Sequence, residues 1–236
     1  MTSPAKVLAK VVRAGLHRLG YVLWKREFLQ YGISPFLDIT RLSRAFECSI
    51  GTFFDVGANV GQTAREALDT FPDSNVFSFE PHPATFKRLT EAIRDPRLSA
   101  YQIAFTEQDG NMTLYEYAST GDGTQINSLV PDARFPTQFG YQATELVARC
   151  ETIDGFCKKQ GIERIDVLKV DTEGFELPVL KGAKETLLRD HPRIAGEAHP
   201  RFSDSAETIL SYLGGLGYAG RAERDGKAQM FYAWKP

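Results

Sequence analysis

The chain reads as an α/β protein built on a doubly wound, mostly parallel sheet, and three observations predict this. Strand-length apolar runs alternate with segments of helical periodicity along most of the 236 residues. The run 52–56 is apolar except for Thr52 and Asp55, as suits a strand buried on both faces, and it passes through Gly57 and Gly61 into a helical pattern. Near the end, two strand-like runs at 218–222 and 229–234 flank Asp225-Gly226, which predicts an antiparallel pair at one sheet edge.

The elements follow in order. Residues 1–30 are basic: Lys6, Lys10, Arg13, Arg18, Lys25 and Arg26 are opposed only by Glu27. Their apolar residues, among them Val7, Leu8, Val11 and Leu19, share a helical face. That face is expected to pack on the domain, and the alternative is a peripheral helix leaning on anionic lipid. Arg13, His17 and Arg18 interrupt any signal-peptide core. A second helix is expected at 38–46, so residues 1–49 form a helical extension and 50–236 the main domain. After the glycine loop comes a helix carrying Ala64, Ala67, Leu68 and Phe71, then a second strand ending at Glu80-Pro81. A helix at 83–94 starts on Pro83, where a missing N–H costs little. A third strand spans 98–105. Residues 112–117 alternate as an exposed strand does. Residues 119–144 hold glycines, prolines and the aromatics Phe135, Phe139 and Tyr141, which predicts a lid or acceptor-binding loop. A short strand at 147–152, a helix at 153–160 stopped by Gly161, a strand at 165–171, a helix at 176–189, a strand at 194–199 and a helix at 206–213 complete the core.

Composition excludes several classes. With 42% hydrophobic and 25% charged residues the chain is an ordinary globular one, and a net charge of −2 argues against a nucleic-acid partner. Cys48, Cys150 and Cys157 make an odd number without a C-x-x-C pair, which reads as reduced thiols of a cytoplasmic protein. No apolar run is long enough for a transmembrane helix.

Ligands bind at the carboxyl ends of such strands, which places Gly57, Glu80, Ala104, Asp171 and His199 on one rim. The loop reads D-x-G-x-x-x-G and not G-x-G-x-x-G, and it has no Walker lysine. Asp55 would repel a pyrophosphate but hold an ammonium, and Glu80 ends the second strand where an acid accepts ribose hydroxyls. An acidic first loop with a ribose acid suits S-adenosylmethionine better than NAD. The donor-binding set is Asp55, Gly57, Asn59, Gly61, Thr63, Glu80, Pro81, Ala104 and Asp171. Asp171 and Glu173 follow the 165–171 strand, and Glu197 and His199 alternate along the next one, pointing the same way. His199 is the expected general base, since a free imidazole titrates near ~6.5. Asp171 and Glu173 are the other catalytic candidates. Asp171, Glu197 and His199 could instead hold Mg²⁺.

Asp55-Val56-Gly57-Ala58-Asn59-Val60-Gly61, then Phe79-Glu80-Pro81-His82-Pro83, then Leu168-Lys169-Val170-Asp171-Thr172-Glu173-Gly174-Phe175-Glu176 with Leu180-Lys181-Gly182-Ala183, resembles the FkbM family of S-adenosylmethionine-dependent methyltransferases. The resemblance covers about residues 50–200. It implies a Rossmann-like class I methyltransferase fold, with a seven-stranded sheet and an antiparallel edge strand. It also implies O-methylation of a saccharide, glycolipid or other secondary metabolite, with S-adenosylhomocysteine as product. The competing readings are a non-catalytic Rossmann-like binding module recruited through the N-terminal helix and an NAD-dependent oxidoreductase. A cytoplasmic enzyme, with residues 1–30 able to touch a membrane face, is the expected setting. The sequence leaves the oligomeric state open.

Overall fold

The computed structural model describes residue 39 and residues 49–119, 125–200, 204–225 and 228–236. The expected helices at 1–30 and 38–46 lie outside the described residues, apart from Ile39, which is helical and buried. The strands are β1 (Thr52–Val56), β2 (Asn75–Phe79), β3 (Leu98–Tyr101), β4 (Ala104–Phe105), β5 (Gly110–Ala118), β6 (Gln125–Ser128), β7 (Gln142–Glu151), β8 (Val167–Val170), β9 (Arg193–Ala198), β10 (Ala219–Asp225) and β11 (Ala228–Trp234). The helices are α1 (Gln62–Thr70), α2 (Pro83–Ala92), α3 (Arg134–Gln138), α4 (Ile153–Gln160), α5 (Glu176–Lys181), α6 (Lys184–Asp190) and α7 (Ala206–Gly215).

Seven strands form the main sheet in the order β10-β11-β9-β8-β1-β2-β3. β1, β2, β3, β8 and β9 run parallel, and β11 pairs antiparallel with both β9 and β10. Successive residues of a strand face opposite sides, and β1 shows the consequence. Phe53 packs with Ala64, Ala67, Leu68 and Phe71 from α1 and its C-cap, and with Val76 and Val167. Phe54 faces the other layer, among Phe79, Phe105, Phe156 of α4 and Leu187 of α6. Helices therefore cover both faces, as a parallel sheet requires. Short caps fix their starts: the Thr152 and Ser205 hydroxyls accept the N–H groups of Gly155 and Thr208, and the His82 ring accepts that of Thr85.

Three expectations change. The strand expected at 98–105 is two strands in two sheets, β3 and β4. The helix expected at 176–189 breaks at Gly182, where an added Cβ would lie 2.0 Å from the Thr106 carbonyl oxygen. The expected loop at 119–144 holds β6, α3 and the start of a ten-residue β7, within a second sheet ordered β4-β7-β5-β6. Cys150 and Cys157 are buried free thiols. Among the described residues no helix is long and apolar enough to cross a membrane.

Candidate donor and acceptor site

A cavity of about 300 Å³ lies where the second sheet meets the carboxyl ends of β1, β2 and β8. Its first wall is the glycine loop. Gly57 and Gly61 take the left-handed conformation, with φ of 75° and 89°. Four of the loop's N–H groups are used internally. Gly57 and Ala58 both donate to the Phe79 carbonyl, Asn59 donates to Glu80 Oε2 at 3.0 Å, and Gly61 donates to the Ala58 carbonyl. A phosphate-binding loop must keep such groups for its anion.

Glu80 follows β2 and is nearly enclosed. Oε2 accepts Asn59 N–H and Oε1 accepts His82 N–H at 2.9 Å. Burial raises its pKa, against the pull of those two N–H groups. Each oxygen has accepted one hydrogen bond and retains capacity for another, and the side chain lines the cavity.

The far wall is the turn after β8. Asp171, Thr172 and Glu173 line the cavity. Glu173 has φ of 53°, and the chain turns back through Gly174. Glu176, at 0% exposure, shapes this turn: its Oε1 accepts the N–H groups of Thr172 and Gly174 and the Thr172 hydroxyl. Side-chain exposures of 34% for Asp171 and 35% for Glu173 leave both accessible. Burial raises the pKa of each, opposed at Asp171 by Lys169 and at Glu173 by His199.

The second sheet closes the cavity from above with Leu114, Ile126, Asn127, Ser128 and Leu129. Side-chain hydrogen bonds fasten it. His82 Nε2 meets Glu116 Oε2 of β5 at 2.7 Å, and the Ser128 hydroxyl of β6 donates to the Glu173 carbonyl at 2.7 Å.

Of the residues read from the sequence, Gly57, Asn59, Glu80, Pro81, Ala104, Asp171 and Glu173 meet in this cavity. Asp55, Gly61 and Thr63 do not line it. Asp55 is 0% exposed, and the ammonium beside it belongs to Lys169, 3.1 Å away, and not to a ligand. A Cβ on Gly61 would meet Ile93 and Leu89, so its smallness serves packing against α2. His199 stands just outside the cavity, and carboxylates that bear on its expected role as a neutral base surround it. Its Nε2 lies 3.4 Å from Glu173 and 3.5 Å from Glu197, and its Nδ1 lies 3.5 Å from Glu176. Burial disfavours the charged ring, but these carboxylates outweigh burial and push its pKa up to about 10. The same contact with His199 lowers the pKa of Glu197. Ligand atoms of Asp171, Glu173 and His199 lie within 4.8 Å of one another, a set that shares Asp171 and His199 with the expected metal ligands. The sequence reading missed Lys169, Glu176 and the β6 wall. Lys169 was visible as the one charge inside a buried apolar strand.

Comparison with known proteins then adds a family. The model of the methyltransferase FkbM domain matches residues 55–219. The 2-O-methyltransferase NoeI of Sinorhizobium fredii is 27% identical over 141 residues, covering 57% of this chain and 58% of that protein. The hexuronic acid methyltransferase AglP of Haloferax volcanii is 32% identical over 152 residues, covering 64% and 57%. The chain thus spans about three fifths of the length of these two relatives. The crystal structure of methyltransferase FkbM from Methylobacillus flagellatus aligns with a TM-score of 0.55 at 17% identity, over 79% of this chain and 44% of that one, and shares the fold.

Proposed function

The chain belongs to the methyltransferase FkbM domain family, and from that premise we propose that it is an S-adenosylmethionine-dependent O-methyltransferase acting on a hydroxyl of a saccharide, glycolipid or other secondary metabolite. One observation carries the reading. A single cavity joins Glu80 to Asp171 and Glu173, beside a glycine loop in which the N–H groups of Gly57, Ala58, Asn59 and Gly61 are already spent. Such a wall suits a ligand with a ribose diol and a positive charge, and it disfavours a dinucleotide's pyrophosphate. The names of a 2-O-methyltransferase and a hexuronic acid methyltransferase among its relatives support a sugar acceptor.

The residues present fit the donor. Glu80 would accept its ribose hydroxyls, and Ile103, Ala104 and Phe105 offer an apolar wall for its base. The donor supplies a methyl group on a sulfonium, which leaves as a neutral thioether. The chain's own task is to align the acceptor and take its proton. Glu173 is the base in this reading, because it is accessible and burial makes its carboxylate a better proton acceptor. His199 holds Glu173 and Glu197 as their counter-charge. A cytoplasmic enzyme that touches a membrane face through residues 1–30 belongs to the same proposal and rests on their basic amphipathic sequence.

A second reading of the acids is favoured by the clustering of Asp171, Glu173 and His199. A divalent ion such as Mg²⁺ held there would orient the acceptor oxygen and lower its pKa. One assay tests both readings. Methyl-labelled donor is supplied with a panel of saccharides, before and after EDTA, and products are read by mass spectrometry. Label on a sugar oxygen is expected. Label on nitrogen or carbon overturns the O-methyl reading, and loss of turnover with EDTA that Mg²⁺ restores assigns the acids to a metal.

A further inference from the structure

Lys169 lies in the middle of β8, whose neighbours Val167, Leu168 and Val170 are all fully buried. Its side chain is 11% exposed. Lysine is almost never enclosed in this way, because removing an ammonium from water costs several kcal/mol unless it is paired and hydrogen-bonded. Asp55 stands opposite it in the parallel register of β1 and β8, with its Oδ1 3.1 Å from the ammonium.

A buried pair serving stability alone would need no more than that. The ammonium reaches further, toward the strand ends. Its shortest contact is a hydrogen bond to the Gly57 carbonyl at 2.7 Å, with the Val56 carbonyl at 3.4 Å. Asp171 Oδ2 is 3.7 Å away. Gly57 opens the glycine loop and Asp171 opens the acidic turn, and both line the cavity. The two segments also touch directly, since a Cβ on Gly57 would lie 1.8 Å from the Asp171 carbonyl oxygen. One ammonium therefore sits at the joint between the wall that faces the donor and the wall that carries the acids.

We propose that Lys169 is the positioning residue of this site: it fixes the Gly57 carbonyl and the Asp171 carboxylate relative to each other, and so sets the glycine loop against the acidic turn. The inference rests on the donor reading given above. Lys169 is not a base. Burial works against its charge, but Asp55 and Asp171 outweigh that effect and hold its pKa above the ordinary lysine value.

The test separates positioning from stability. The double variant Asp55→Asn/Lys169→Met removes both buried charges together and avoids stranding one of them. S-adenosylhomocysteine affinity is read by calorimetry, and kcat and KM by labelled methyl transfer. In folded double variant, affinity is expected to fall about 10- to 100-fold, the range for losing a hydrogen bond to a charged group, with kcat falling as well. A folded double variant with wild-type affinity and kcat shows that the pair serves stability only, and overturns the proposal while the donor reading stands. A wild-type protein that does not bind S-adenosylhomocysteine overturns the donor reading and this inference together. Should the double variant fail to fold, Lys169→Met alone decides, because Asp55, whose pKa burial already raises, can stay neutral beside it. A roughly tenfold or greater loss of affinity in the folded single variant supports Lys169. A smaller loss overturns the proposal.

Discussion

In the proposed mechanism Glu173 and His199 exchange the roles that their intrinsic chemistry suggests, and their neighbours set the exchange. A free imidazole is the better base near neutrality. Here Glu173, Glu176 and Glu197 surround the ring and keep it protonated, with a pKa of about 10. Glu173 is pushed upward by burial. Only the deprotonated carboxylate accepts a proton, so the rate of EDTA-treated enzyme should rise with pH through a limb above the ordinary glutamate value of ~4.3. Glu173→Gln should lower kcat by roughly 10²–10⁴-fold, the usual general-base contribution. A limb near pH 10 that vanishes in His199→Gln would return the base role to the histidine. None of this was readable from residue types alone, since Glu176 is three residues from Glu173 in sequence and its contact with His199 is a product of the fold.

At the scale of elements, the glycine loop shows how one motif serves two ends. Gly57, read from the sequence as part of the donor-binding set, lines the cavity, and its missing Cβ also makes room for the Asp171 carbonyl oxygen, 1.8 Å from where that atom would sit, with φ at 75°. Gly57→Ala should therefore destabilise the fold, by on the order of 1–3 kcal/mol from backbone strain alone and more from the collision. Denaturant unfolding measures this, and an Ala variant as stable as wild type would contradict the close approach of β1 and β8. The strands β1, β2, β8 and β9 were legible because both their faces are largely buried and each carries a short apolar stretch between helical segments. The break between α5 and α6 was not, because its cause is Thr106, far away in sequence.

At the scale of the whole molecule, the main sheet and the second sheet differ in how far their sequences announce them. The main sheet follows from local alternation of strand and helix. The second sheet depends on pairing β5 with β7 across most of the segment read as a loop, and its β7 is largely exposed from Gln142 to Glu145. Exposed polar residues carry little hydrophobic pattern, so the strand was visible only from 147 onward. That sheet supplies Ile126, Asn127, Ser128 and Leu129 to the cavity, which is why half of the site was missing from the sequence reading. The donor half was present, because Gly57, Asn59, Glu80 and Asp171 sit at the ends of legible strands. The most direct test of the central claim is therefore made on that half. Wild-type protein and a Glu80→Gln variant are titrated by calorimetry with S-adenosylhomocysteine and, separately, with NAD. Wild type should bind S-adenosylhomocysteine and not NAD, and Glu80→Gln should bind it more weakly by about 1.5–3 kcal/mol, the contribution of a hydrogen bond to a charged group. Binding of NAD in place of S-adenosylhomocysteine, or a Glu80→Gln variant with unchanged affinity, would contradict the assignment of this cavity.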